Sequence, residues 1–234
     1  TNFSYLFVKD GMITSNALFN KCLEPGYTGT LFVPFTEITN GGSSWSNGKA
    51  YSYDYPDGIF EPDASEGLEH TLAVCNDKRY PYNSFVQLMK TANMVSDTHI
   101  PILVGTRFIA FIPTNEAIAT ALAQNKIPGI RNGSINGSGG IDVAAEDLNV
   151  NELKTYLYSY FLRAAENVIT TYPYIGSAMK NGDYSTFDFK KVKYTDSGST
   201  ISVQIAGRKV DNVIPTYDYS PFAYNDGFFH LIDE

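Results

Sequence analysis

Three kinds of residue in this sequence could do chemistry. His70, His99 and His230 are its only imidazoles, and none stands at metal-ligand spacing from another histidine or from Cys22 or Cys75. His230 falls in an apolar run, where an imidazole is either a pH-sensitive contact or a half-buried strand residue donating to a neighbouring carbonyl; the second is the expectation. Ser177-Ala178-Met179-Lys180 has the spacing in which a lysine activates a serine. Chance supplies such a match in a chain with this many serines and lysines, and no Lys-Thr-Gly accompanies it. Paired carboxylates, Glu146 with Asp147 or Asp54 with Asp57, could work as acid and base if the fold set them about 5 to 9 Å apart across a sugar. Neither pair is flanked by sequence that would bury it, so both are expected to be solvated. A Gly-x-Ser-x-Gly elbow, a phosphate-binding Gly-Lys loop and a dinucleotide fingerprint are all missing from the sequence. The expectation is a non-enzyme without cofactor or metal.

Binding is the better prospect. Trp45, Tyr51, Tyr53 and Tyr55 lie within eleven positions, and strand alternation puts the three tyrosines on one face. Flat rings with polar tips hold carbohydrate or peptide at low entropic cost, although the same face could instead pack against the rest of the chain. Seventeen Tyr and fifteen Phe against one Trp suit a β-rich protein with half-exposed rings. The net charge of −8 and the absence of a basic stripe argue against nucleic acid; Lys190, Lys191 and Lys193 read as the wet side of a strand. Two cysteines leave a Cys22–Cys75 disulfide open. Nowhere do apolar residues run to the ~20 of a spanning helix, and Thr1-Asn2-Phe3 has no charged leader, so any export signal or lipid anchor is expected to have been removed.

The elements that must position these residues follow from periodicity. Lys49 to Asp54 reads as a strand between the turn signals Asn47-Gly48 and Tyr55-Pro56-Asp57-Gly58, with a unit closing near Pro62. Ser65 to Glu69 reads as a helix entry. Phe85, Leu88, Met89 and Ala92 predict a helix over 83–95. The apolar run Arg107 to Ile112 predicts a buried strand stopped by Pro113, after which Thr114 or Asn115 caps a helix through Ala123. Residues 124–142, rich in Asn, Gly and Ser, predict a weakly ordered loop. A helix from near Asn151 is expected to carry Leu153, Leu157, Tyr160 and Phe161 on one face; strands then follow over 187–192, 201–205, 209–214 and 228–233.

This order of parts resembles the fasciclin domain family. Phe108 to Ile118, running through Pro113-Thr114-Asn115 into a helix, looks like the family's first signature; Leu153 to Leu157 is similar to its central helix. Asp226-Gly227-Phe228-Phe229-His230-Leu231-Ile232-Asp233 looks like its second signature, in which Asn is usual where Asp226 stands. The resemblance covers about Ala64 to Glu234 and implies an α+β fold: a wedge-shaped β-sandwich with helices packed around it, whose apolar run, Ile109 included, shares a core with Leu231 of the closing strand. It makes Pro113, Thr114, Asn115, Gly227, His230 and Asp233 structural residues. Animal adhesion members carry a Tyr-His pair after the central helix; Ser159 and Tyr160 stand there in this chain, which speaks against integrin-type recognition.

Laying Asn47 to Asp54 over Asp226 to Asp233 matches Gly48 with Gly227 and Asp54 with Asp233, so residues 1–62 are expected to be the C-terminal part of a preceding fasciclin-like unit and 63–234 a fasciclin domain. The resemblance is strongest to tandem fasciclin surface lipoproteins of glycan-degrading Gram-negative bacteria. It implies an extracytoplasmic adhesion or protein-interaction module whose partners are an outer-membrane transporter and a substrate-binding lipoprotein, with direct glycan binding by the Tyr-rich strand as the alternative.

Overall fold

A computed structural model describes residues 6–9, 12–15, 33–43, 45–54, 67–163, 179–213, 222–223 and 226–233. The chain divides into two compact units, Thr1–Ser65 and Glu66–Glu234. The first is an antiparallel meander of β1 (Leu6–Lys9), β2 (Met12–Ser15), β3 (Val33–Ile38) and β4 (Ala50–Tyr53). In the β3–β4 pair Phe35 stands opposite Tyr53 and Glu37 opposite Tyr51, so Val33, Phe35, Glu37, Tyr51 and Tyr53 share a face. Val33 is buried there.

The second unit opens with α1 (Leu68–Val74) and α2 (Asn83–Thr91). Asn93 is left-handed, at φ 54°, so this second helix stops short of the expected 95. Next come β5 (Phe108–Pro113) and α3 (Asn115–Ala123), then the short hairpin β6 (Ser134–Ile135) and β7 (Ile141–Asp142). α4 (Val150–Tyr158) ends before Tyr160, which with Phe161 is buried beyond the helix; Phe161 instead begins β8 (Phe161–Arg163). The expected strand over 187–192 is displaced: Thr186 to Lys190 form a turn, with Phe189 left-handed at φ 63°, between β9 (Gly182–Ser185) and β10 (Lys191–Asp196). β11 (Ile201–Ile205), β12 (Val210–Asn212), β13 (Phe222–Ala223) and β14 (Gly227–Ile232) complete the described elements.

The architecture is α+β and layered. One sheet has the order β13-β14-β5-β8, the other β12-β11-β10-β9. β5 is buried at every position, as a strand covered on both faces must be. Its partner β14 runs parallel in a six-residue register from Gly227 opposite Phe108 to Ile232 opposite Pro113. Alternation divides the side chains. Phe108, Phe161 and Phe229 face the helices, where Phe161 meets Phe85 of α2 at 5.9 Å and Phe229 meets Tyr82 at 5.6 Å. Phe111 and His230 face the second sheet and meet Tyr194 of β10, both at 6.3 Å. Ile109 and Leu231 therefore belong to adjacent strands but lie on opposite faces of their sheet, a correction to the expected common core: Leu231 is in register with Ile112, not Ile109.

The stretch 124–142 is also corrected. Its asparagines and glycines build turns that pack. The Asn136 side chain accepts from the Ser138 and Gly140 amides, each at 3.0 Å. Lys78 Nζ donates to the Gly137 carbonyl at 2.7 Å, buried Asn83 donates to that of Gly139 at 3.3 Å, and Ile127 and Ile130 are buried. At Gly129, φ 85°, a Cβ would lie 2.5 Å from the Leu153 amide, so this glycine serves close approach to α4. Among the described residues no helix is long and apolar enough to cross a membrane.

Candidate functional site

The motif residues form one bonded corner. Thr114 is the N-cap of α3, its hydroxyl accepting from the Ala117 amide at 3.2 Å. Asn115, the other candidate cap, works at a distance: it accepts from the Ser84 amide at 2.9 Å and donates to the Tyr80 and Lys78 carbonyls at 2.7 and 3.1 Å. It thereby supplies the cap that Tyr82, at the N-terminus of α2, does not. The Thr114 amide after Pro113 donates to the Ile232 carbonyl at 3.1 Å. At Gly227 a Cβ would stand 2.0 Å from the Phe108 carbonyl oxygen, which no side chain permits. Asp226 caps α1, accepting from the Leu68 and Glu69 amides at 2.6 and 3.1 Å. Asp233 accepts from the Asn212 amide and side chain at 2.8 and 3.1 Å, which ties β14 to β12 of the other sheet.

His230 is wholly buried, not half-buried, and stacks on Phe111 at 5.5 Å and 13°. Burial lowers its pKa to about 3, so the ring is neutral at physiological pH. The other two imidazoles, far apart in sequence, come together: His70 and His99 have centroids 5.9 Å apart, with His99 Nδ1 3.3 Å from buried Glu69 and His70 Nδ1 3.0 Å from the Thr98 carbonyl. Among the described residues no group of three or more His, Cys, Asp or Glu could hold a metal ion. Cys75 is a free, buried thiol whose pKa burial raises; Cys22 lies outside the described residues.

Of the two acid pairs, Glu146–Asp147 lies wholly within the described residues. Asp147 is engaged by Arg131 at 3.5 Å and Asn132 at 3.2 Å, and its neighbour Glu146 is exposed; Asp57 and Ser177 lie outside the described residues. Of the aromatic group, Trp45 and Tyr51 are 43% and 41% exposed and Tyr53 is half-buried, while Tyr55 lies outside the described residues. Trp45 Nε1 donates to the Ile38 carbonyl at 3.1 Å, and Phe35 meets Tyr51 edge-on at 4.6 Å. The rings are thus held, with part of each in solvent.

A second constellation escaped the reading of the sequence. A cleft of about 690 Å³ opens along α4, from its N-cap Asn149 to Ser159, beside the turn joining β11 to β12, and half-buried Arg208 lines it. Its Nε donates to the Ile205 carbonyl at 3.2 Å, Nη1 to the Tyr160 hydroxyl at 3.1 Å and Nη2 to Ser159 Oγ at 2.9 Å. The guanidinium carbon stands 4.6 and 4.9 Å from the centroids of Tyr160 and Tyr156, whose hydroxyls share a 2.5 Å hydrogen bond. Burial pushes the Tyr160 hydroxyl well above its ordinary pKa. Asn149, Asn151, Glu152, Thr155 and Pro128 complete much of the wall. The one signal in the sequence was the pair Ser159-Tyr160 after the central helix; nothing local joined it to an arginine 48 residues on.

No protein-family model matches this chain, and no curated protein matches it. A solved structure of a FAS1 domain pair from the insect cell adhesion molecule fasciclin I is similar, at a TM-score of 0.44 and 10% identity over 98% of this chain. The chain spans 65% of that structure.

Proposed function

We propose that this chain is a non-catalytic interaction module of the fasciclin type, held at the bacterial outer-membrane surface through a lipid anchor outside the sequence as given, and accessory to a nutrient-uptake complex of transporter and substrate-binding lipoprotein. The observation that carries the fasciclin reading is the corner itself: a buried strand, a proline, a threonine cap and a parallel closing strand joined residue by residue through Gly227 to Ile232. The residues on which the resemblance rests are occupied in building the fold, which leaves recognition to the rest of the surface. Residues 1–62 are read as the end of a preceding fasciclin-like unit; the described residues of this stretch form a four-stranded meander, and one face of such a sheet needs a second layer.

Crosslinking of the anchored protein in intact cells, followed by identification of its neighbours, tests the reading. Recovery of an outer-membrane transporter or its lipoprotein supports it; a cytoplasmic location of the protein would sink it. Direct carbohydrate binding through the first unit is favoured by the exposed, hydrogen-bonded Trp45 and edge-supported Tyr51. In that case Trp45→Ala and Tyr51→Ala abolish retention on a glycan column and leave the melting temperature of the second unit unchanged.

A further inference from the structure

We propose that the Arg208 cleft binds the carboxylate of an acidic sugar, a hexuronate or an oligosaccharide ending in one. The inference stands apart from the fasciclin reading, because it rests only on the geometry of the cleft.

Arg208 is fixed before any ligand arrives. Its three hydrogen-bond partners, the Ile205 carbonyl, the Tyr160 hydroxyl and Ser159 Oγ, are neutral oxygens, and two tyrosine rings lie against the plane. A guanidinium carries five N–H donors, so two stay available once these three are placed. Among the described residues no carboxylate forms an ion pair with Arg208, in contrast to Arg79, Arg131 and Lys190, which pair with Asp77, Asp147 and Asp188. A half-buried cation given only neutral partners keeps its charge for something else, and its fixed geometry removes the ordering cost of capturing a planar anion.

The wall selects the rest of the ligand. Asn149, Asn151 and Thr155 offer amides and a hydroxyl, and the aliphatic lining is confined to Pro128 and Ala206; that composition suits a hydroxylated ring better than the side chains of a peptide. Glu152 and Lys190 stand in the same wall: Lys190 is already paired with Asp188 at 2.8 Å, while Glu152 can accept from sugar hydroxyls and disfavours a second negative charge. A single carboxylate on an otherwise neutral ring meets all of these conditions. A run of acidic residues does not, and would also face a chain of net charge −8.

Titration of the whole chain with glucuronate, glucose and an aspartate-bearing peptide, followed by calorimetry and by amide shifts in α4 and the β11–β12 turn, tests the proposal. Glucuronate is expected to bind at least about tenfold more tightly than glucose, and Arg208→Lys, which keeps the charge and loses the fork, to weaken it at least about tenfold. Should Arg208→Lys misfold, Thr155→Val, on an exposed position, is expected to lower affinity with no change in melting temperature. Added salt weakens the interaction. Equal affinity for glucose and glucuronate, shifts confined to other surfaces, unchanged binding in Thr155→Val, or binding of the peptide in place of glucuronate overturns it.

Discussion

Gly227 is the residue at which one methyl group decides the fold. With a would-be Cβ 2.0 Å from a strand carbonyl, Gly227→Ala must part β14 from β5 or move both, and is expected to cost at least about 3 kcal/mol, read as a lowered urea midpoint. His230, two strand positions after Phe228, makes its own contribution through protonation. Its folded pKa of about 3 lies below the ordinary 6.5, so the unfolded chain binds the proton more readily. Its stabilising effect is therefore intact above pH 6.5 and is lost as the pH falls from 6.5 towards 3, by about 1.4 kcal/mol for each unit. His230→Phe, which keeps a ring against Phe111, is expected to flatten this limb; unfolding free energies of both proteins between pH 7.5 and 4.5 check it. Parallel curves for the two proteins would place the acid sensitivity elsewhere.

At the scale of elements, two adjacent residues with similar capping chemistry have unequal reach. Thr114 satisfies one amide of its own helix, and Thr114→Ala is expected to cost about 1 kcal/mol. Asn115 joins three separate backbone groups around the entry to α2, so Asn115→Ala strands the Ser84 amide and two carbonyls and is expected to cost about twice as much. Chemical denaturation of the two variants ranks them, and a smaller loss for Asn115→Ala would show that water replaces the amide. The second sheet obeys simpler rules: Val192 and Tyr194 point inward, opposite Ile205 and Val203, while Lys191 and Lys193 point out. Lys191 pairs with Asp183 at 2.7 Å on that wet side, as the sequence led one to expect of the lysine cluster.

For the molecule as a whole, the second unit is layered as helices, sheet and sheet, with β5 and β14 at the centre. Native-state hydrogen exchange should find the amides of Ile109 to Ile112 and Phe229 to Leu231 opening only with global unfolding, and those of edge strands β9 and β12 opening earlier. Faster exchange in β5 than in β12 would contradict this layering. Pieces whose cause is local were legible from residue order alone. An unbroken apolar run is a strand buried on both faces, a threonine or asparagine after a proline caps a helix, and a glycine turn opens an apolar strand; these put α3, β5 and β14 close to where they were expected. Local rules failed where the deciding contact lay far along the chain. Apolar residues 160 and 161 read as more helix until β5 offers Phe161 a strand partner, and the glycines of 124–142 read as freedom until α4 and Lys78 close around them. The cleft belongs to the same class. Tyr156, Ser159 and Tyr160 lie at the end of a helix and Arg208 beside a turn between strands, and only the packing of these elements brings a guanidinium onto two tyrosine rings, because a hydrogen bond has a range of about 3 Å and knows nothing of separation along the chain.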